Sequence, residues 1–220
     1  MSETHFQPPP QQRIIGLTGG IGMGKTTVSE YLATAHHLPV LDADIYAREA
    51  VAPGTSVLAA IADRYGLGVL HADGSLDRQR LGDIVFASPS ERLWLEQQIH
   101  PYVRDGLIQT MQSPPYNLVE QYPILVLVIP LLFEARMTDL VTETWVVTCS
   151  PEQQLARLTE RDRLTANQAQ ARIDSQLAIE KKVARADVVL DNSSTLESLF
   201  EQIDQAIAHP AHSIALPHPF

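Results

Sequence analysis

Ile14-Ile-Gly-Leu-Thr-Gly-Gly-Ile-Gly-Met-Gly-Lys-Thr26 is the stretch that decides the fold. Residues 13–18 are mostly apolar and too few for a helix, so they read as a strand. A glycine-rich turn follows. From Lys25 to Ala35, Val28, Tyr31 and Leu32 fall at helical spacing. Between strand and helix, Gly19 to Thr26 matches G-x-x-x-x-G-K-[ST] in full, in the setting this motif requires. Glycines tolerate positive backbone angles, so the N–H groups of Gly20, Ile21, Gly22, Met23, Gly24, Lys25, Thr26 and Thr27 can turn toward one anion. Lys25 is placed to reach the β- and γ-phosphates and the Thr26 hydroxyl to ligate magnesium, while the helix N-terminus adds partial positive charge. These residues predict binding of ATP with Mg2+; switch, motor and kinase all remain open.

Outward from the loop, 39–42 reads as a second short strand, with a helix starting near Asp44 as its N-cap. Residues 53–65 and 77–87 look helical, as does a long stretch from Ser90 that His100-Pro101 is expected to break. Ser113-Pro-Pro-Tyr116 closes this strand-free insertion. Ile124–Ile129 and Thr144–Cys149 read as buried parallel strands. Helices are expected at 152–162, 166–185 and 195–208, with a last strand at 187–190. Strands alternating with helices predict a parallel, doubly wound α/β sheet with its ligands beyond the carboxyl ends of the strands. The expected organisation is a disordered tail at 1–12, one domain at 13–208 and a second tail at 209–220. Within the domain the core comprises 13–52, 117–156 and 179–208, the helical acceptor-binding subdomain 53–116, and the lid about 157–178.

A kinase needs acids and an arginine as well as the loop. The most apolar strand ends in Ile129-Pro130 without an aspartate, so the acids must come from Asp42 and Asp44 after the second strand. Asp42 suits the metal side and Asp44 the proton of an attacking hydroxyl. Between Arg157 and Arg185 seven basic residues outnumber four acidic ones, in a chain of net charge −10. Such a cluster suits a nucleotide's phosphate chain, and Arg157 and Arg161 lie one turn apart on one helix face. A mobile hairpin here could close over the phosphates and exclude water.

The acidic balance, 16 basic against 26 acidic residues, argues against nucleic-acid or membrane binding. The longest apolar run is too short to span a bilayer, and residues 1–12 lack a secretory pattern. The single cysteine, Cys149, excludes an intrachain disulfide and fits a reducing compartment. A cytoplasmic monomer is the expectation.

Taken in order, Ile15–Thr26, Asp42-Ala-Asp-Ile-Tyr-Ala-Arg48, Leu76-Asp-Arg78 with Leu81 and Phe86, His100-Pro101, Pro130-Leu-Leu-Phe-Glu134, Arg157 with Arg161-Asp162, and Ala186-Asp-Val-Val-Leu-Asp-Asn192 resemble the dephospho-coenzyme A kinases. The resemblance covers about 14 to 193. It implies a P-loop core with a helical substrate-binding insertion and a helical lid, and transfer of the ATP γ-phosphate to the ribose 3′-hydroxyl of dephospho-CoA. By position it makes Asp44 the base, Lys25 and Thr26 the phosphate and magnesium residues, and Arg161 the lid arginine. Arg157 and Asn192 fall on the nucleotide side, and Arg78, His100 and Glu134 on the acceptor side. Met23 and Thr26 stand where the family more often has serine; Thr26 keeps the hydroxyl, and the loop uses only the backbone N–H of Met23.

Overall fold

Aliphatic and β-branched runs become five strands in one sheet. The computed structural model describes residues 12–112 and 117–209; apart from Gln12 and His209, the two expected tails lie outside these, as does the closing Ser113–Tyr116. The strands are β1 (Arg13–Gly19), β2 (Val40–Asp42), β3 (Ile124–Val128), β4 (Glu143–Thr148) and β5 (Val188–Asp191), in the order β2-β3-β1-β4-β5. The helices are α1 (Lys25–Ala35), α2 (Ala43–Ala50), α3 (Ser56–Tyr65), α4 (Arg78–Ala87), α5 (Pro89–Gln112), α6 (Leu118–Gln121), α7 (Pro151–Asp162), α8 (Ala166–Asp174), α9 (Ile179–Val183) and α10 (Leu196–Ala208). The chain forms two compact units, one of residues 42–112 and the other of 12–41 with 117–209.

In the sheet unit β1 is central, running parallel to β3 with Arg13 opposite Ile124 and to β4 with Ile15 opposite Glu143. Strand residues alternate faces, so Ile15 and Leu17 share one face with Val126, Val128, Trp145 and Val147, packed under Val28 and Leu32 of α1 and Leu199 and Ile203 of α10. Each such buried side chain contributes roughly 1.5–3 kcal/mol. At the starting edge of the sheet, Arg13 pairs with Glu143 at 2.6 Å and donates to the last carbonyls of α10, Ile207 O at 2.7 Å and Ala206 O at 3.1 Å. This leaves the opposite edge, where β1, β3 and β4 end, for the glycine loop.

Two expectations about helices are corrected here. The helix expected over 166–185 stops at Asp174 and resumes only as the short α9. Gln176 and Leu177, in the gap, are drawn into hydrogen bonds with residues far away in sequence (Ile21 and Glu134), which competes with continuing the helix. In the other unit α5 runs straight through Pro101. An interior proline costs about 3 kcal/mol, but both halves of α5 bury side chains: Leu95 and Ile99 pack on Val57, Leu58, Ile61 and Leu81, and Val103, Leu107, Ile108 and Met111 are buried farther along. Packing outweighs the local preference.

The helical unit has two further anchors. Arg64 grips Glu91 with two hydrogen bonds of 2.7 and 3.0 Å and lies 4.6 Å over the Trp94 ring. On α2, Tyr46 presses its ring onto α5 where Gly106 leaves room, a side chain at 106 meeting Tyr46 Cδ1 at 2.5 Å, and donates to Thr110 at 2.9 Å.

Candidate active site

The sheet unit builds a phosphate cradle from backbone and buried polar side chains. Gly24 has φ 103°, and any β-carbon there would collide with Asn192 Nδ2, so no other residue fits. Asn192 is buried and donates that nitrogen to Met23 O at 2.9 Å; Arg157 Nη2 donates to Asn192 O at 3.2 Å. The other terminal nitrogen, Arg157 Nη1, is buried without a hydrogen-bond partner, 3.9 Å from where a β-carbon on Gly24 would lie. Leaving a buried cationic donor unmet is costly, and a nucleotide phosphate beside the loop would satisfy it. The fold thus brings Gly24, Arg157 and Asn192 together.

Lys25 Nζ bridges the loop, donating to Gly19 O at 3.1 Å and Gly20 O at 2.9 Å. Met23 stands where the resemblance makes serine more usual. Its side chain is 2% exposed and tucks beneath the loop, with Sδ accepting the Gly20 N–H at 3.3 Å. Thr26 and Thr27 lie in the first turn of α1, and Thr26 is exposed. A hydroxyl in this place fits Mg2+, which takes oxygen ligands and keeps several waters and phosphate oxygens.

The hairpin α7–α8 carries the arginines. A capping box between Ser150 and Gln153 starts α7, and Arg163 ends it with φ 54°. Arg161, 60% exposed, is paired with Asp162 at 2.7 and 3.1 Å, and Arg172 reaches the same carboxylate at 3.0 Å. Hydrogen bonds from Arg161, with help from Arg172, hold the Asp162 carboxyl below its ordinary range although burial opposes them. Burial pushes the Cys149 thiol up, against the nearby Arg157 charge.

Glu134 follows β3 in a turn. Its Oε1 accepts from Lys182 Nζ at 2.9 Å and from the Leu177 N–H at 3.0 Å, while its Oε2 is buried and unpartnered. Lys182 is wholly buried and also donates to Pro130 O at 3.1 Å. Counted in the basic window as charge for a phosphate, it is instead spent on Glu134. Sequence reasoning also passed over Gln154 and Gln176, which hold the loop from the side.

In the helical unit the N-cap of α2 is Asp42 rather than Asp44. Asp42 keeps extended angles at the end of β2 and its carboxylate accepts the Asp44 N–H at 2.9 Å, so the helix opens at Ala43. Asp44 stands in the first turn and lines a cavity of about 290 Å³ with Arg48 and Arg78, walled by apolar groups that include Leu76, Val85 and Ile99. Asp44 and Arg78 thus line the same cavity. Arg48 was missed, though its spacing of four from Asp44 places both on one helix face. His100 follows cavity-lining Ile99 within α5.

A five-stranded parallel sheet with a G-x-x-x-x-G-K-T loop at the end of its central strand defines a P-loop nucleotide-binding fold. Among solved structures the chain is similar to TT1252 from Thermus thermophilus (TM-score 0.74, 32% identity, covering 90% of this chain and 97% of that one). It is also similar to a dephospho-CoA kinase from Campylobacter jejuni (TM-score 0.66, 27% identity, covering 91% and 98%). The sequence profile of the dephospho-CoA kinases matches residues 13–198. A relative from Trichormus variabilis named dephospho-CoA kinase is 61% identical over 196 residues, 89% of this chain and 97% of its own length. The chain belongs to the dephospho-CoA kinase family, a family of phosphotransferases.

Proposed function

We propose that this chain transfers the γ-phosphoryl group of ATP to the ribose 3′-hydroxyl of dephospho-CoA, giving CoA and ADP, the last step of coenzyme A synthesis. The observation that carries the reading is the family match over 13–198, which spans the loop, the acidic pair, the cavity and the arginine hairpin together. Lys25 and the loop N–H groups other than those of Gly20 and Ile21, which Met23 Sδ and Gln176 Oε1 take, hold the β- and γ-phosphates, and Arg157 and Asn192 support the nucleotide beside Gly24. Thr26, with Asp42 on the metal side, would hold Mg2+, which offsets phosphate charge when bound.

Asp44 accepts the proton of the 3′-hydroxyl, and Arg161, released from Asp162, neutralises charge on the phosphoryl group in flight. The cavity of about 290 Å³ is at the small end of the roughly 300–1,000 Å³ typical of ligand sites, so it takes part of dephospho-CoA. Arg78 and Arg48, which line it, meet anionic groups of the acceptor, and His100 and Glu134 shape the acceptor side. Residues 157–178 act as the lid that keeps water from the phosphoryl group.

Among the described residues no helix is long and apolar enough to cross a membrane. We place the enzyme in the cytoplasm as a monomer, which cell fractionation and light scattering would check.

The test is a transfer assay with ATP and magnesium against dephospho-CoA, adenosine, AMP, CMP and UMP, with products identified by mass. Phosphate at the 3′-position of dephospho-CoA, with the other acceptors poor, is the expected result. Preferential transfer to another acceptor would overturn the assignment while leaving the P-loop chemistry intact.

A further inference from the structure

The two backbone groups of Ile21, at the tip of the loop, are each held by a glutamine from the hairpin region. Its C=O accepts from Gln154 Nε2 on α7 at 2.8 Å, and its N–H donates to Gln176 Oε1, just beyond α8, at 2.9 Å. Glycines flank Ile21 on both sides, and Gly22 has φ 76°, so the local sequence does little to fix this peptide. The next residue, Leu177, donates its N–H to Glu134, which is fixed in turn by buried Lys182. The segment leaving the hairpin therefore touches the loop through Gln176 and the turn after β3 through Leu177. A side chain anchored this way, gripping the tip of an otherwise soft loop, sets its shape before any phosphate arrives.

We propose that Gln176 is a positioning residue for ATP. Its side-chain carbonyl, held in place by the Leu177–Glu134–Lys182 bonds, fixes the Ile21 peptide so that the loop is preorganised for the phosphates and tied to the exit of the arginine hairpin. Gln176 contacts no reacting atom; it acts through Ile21. The inference rests on the reading of Gly19–Thr26 as the ATP phosphate site, but not on the identity of the acceptor. Ordering the loop in advance removes an entropy cost from binding, so losing Gln176 weakens nucleotide binding. A side chain that merely occupied a donor needed by phosphate would act in the opposite direction.

The experiment is calorimetric titration of the whole chain with a non-hydrolysable ATP analogue and magnesium, alongside thermal melts and transfer kinetics. Gln176→Met keeps the shape and removes the acceptor. It is expected to weaken analogue binding about tenfold, the scale of one hydrogen bond, to raise the KM for ATP and to leave the KM for the acceptor within about twofold. Gln176→Glu keeps an acceptor for Ile21 but adds a negative charge beside the phosphates. Its affinity loss is expected to shrink as salt rises, because salt screens that repulsion, whereas the loss in Gln176→Met, which adds no charge, is expected to persist.

Unchanged or tighter binding by Gln176→Met overturns the proposal, as does a lowered melting temperature with normal affinity. If Gln176→Met does not fold, Gln176→Ala, which also removes the acceptor, decides, and affinity equal to wild type overturns the proposal. The two readings fail separately. Wild type that binds the analogue but phosphorylates a different acceptor removes only the functional assignment, and Gln176→Met that binds like wild type removes only this one.

Discussion

Replacing Lys182 by methionine removes a wholly buried ammonium and both hydrogen bonds it makes, to Glu134 Oε1 at 2.9 Å and Pro130 O at 3.1 Å. Glu134 would keep only the Leu177 N–H on Oε1, and its Oε2 is already buried without a partner. Breaking one side of a buried pair typically costs about 3–5 kcal/mol, because the remaining charge stays desolvated and uncompensated. Glu134 is 22% exposed, so partial hydration moves the expectation to the lower end, about 3 kcal/mol. For a chain of this size that is a fall in melting temperature of roughly 6–12 °C.

Urea unfolding of wild type, Lys182→Met, Glu134→Met and the double variant gives a thermodynamic cycle. The double variant should regain most of the loss, since two thioether chains can pack where two charges stood, leaving about 1 kcal/mol for the unmet Leu177 N–H. The double variant should thus be about 2 kcal/mol more stable than Lys182→Met alone, where independent losses would make it less stable. A single-variant cost below about 1 kcal/mol, or a double variant showing the simple sum of the two losses, would refute the view that burial makes these charges depend on one another.

Lys25→Ala should reduce transfer by at least about 10²-fold, since the phosphates lose their principal point charge; initial rates at saturating dephospho-CoA check this. Asp44→Asn should lower kcat by about 10²–10⁴, the range for lost general-base help, with analogue affinity within about twofold of wild type. A matching loss of affinity would move Asp44 to a metal-holding or structural role. Hydrogen bonds from Arg64 and then Tyr65 lower the Glu91 carboxyl from its ordinary 4.5 to about 2. A carboxyl whose pKa falls on folding contributes stability that is complete above about pH 4.5 and is lost as pH falls toward about 2. Glu91→Gln should therefore lower the melting temperature at pH 7 but converge with wild type as the solution is acidified through that window.

The glycine loop was legible because its meaning is local: one unbroken run of residues, with strand before and helix after, specifies both backbone and chemistry. The strands at 124–128 and 143–148 were legible for a similar reason, since a short β-branched run buried on both faces leaves few alternatives. Pro101 misled because a dipeptide rule sees the lost N–H of one residue and not the apolar contacts made by both halves of α5. Lys182 misled in the opposite sense, since a count of charges does not know which ones are enclosed. Gln176 gave no signal at all. Its partner Ile21 lies 155 residues away, and Gln176 itself belongs to no motif. Asp44 and Arg78 were found through the motifs around them, whereas Arg48 needed only the four-residue helical step from Asp44.

The meeting of Tyr46 with Gly106 has a consequence for how variation at a silent-looking position would be felt. Asp44 and Tyr46 share the two turns of α2, and the ring of Tyr46 rests where only a hydrogen stands at 106. An added methyl at 106 would push on the ring, and the ring would carry the push along α2 to the proposed base. Position 106 is therefore a remote steering point, from which a change with no polar character of its own can re-aim a carboxylate.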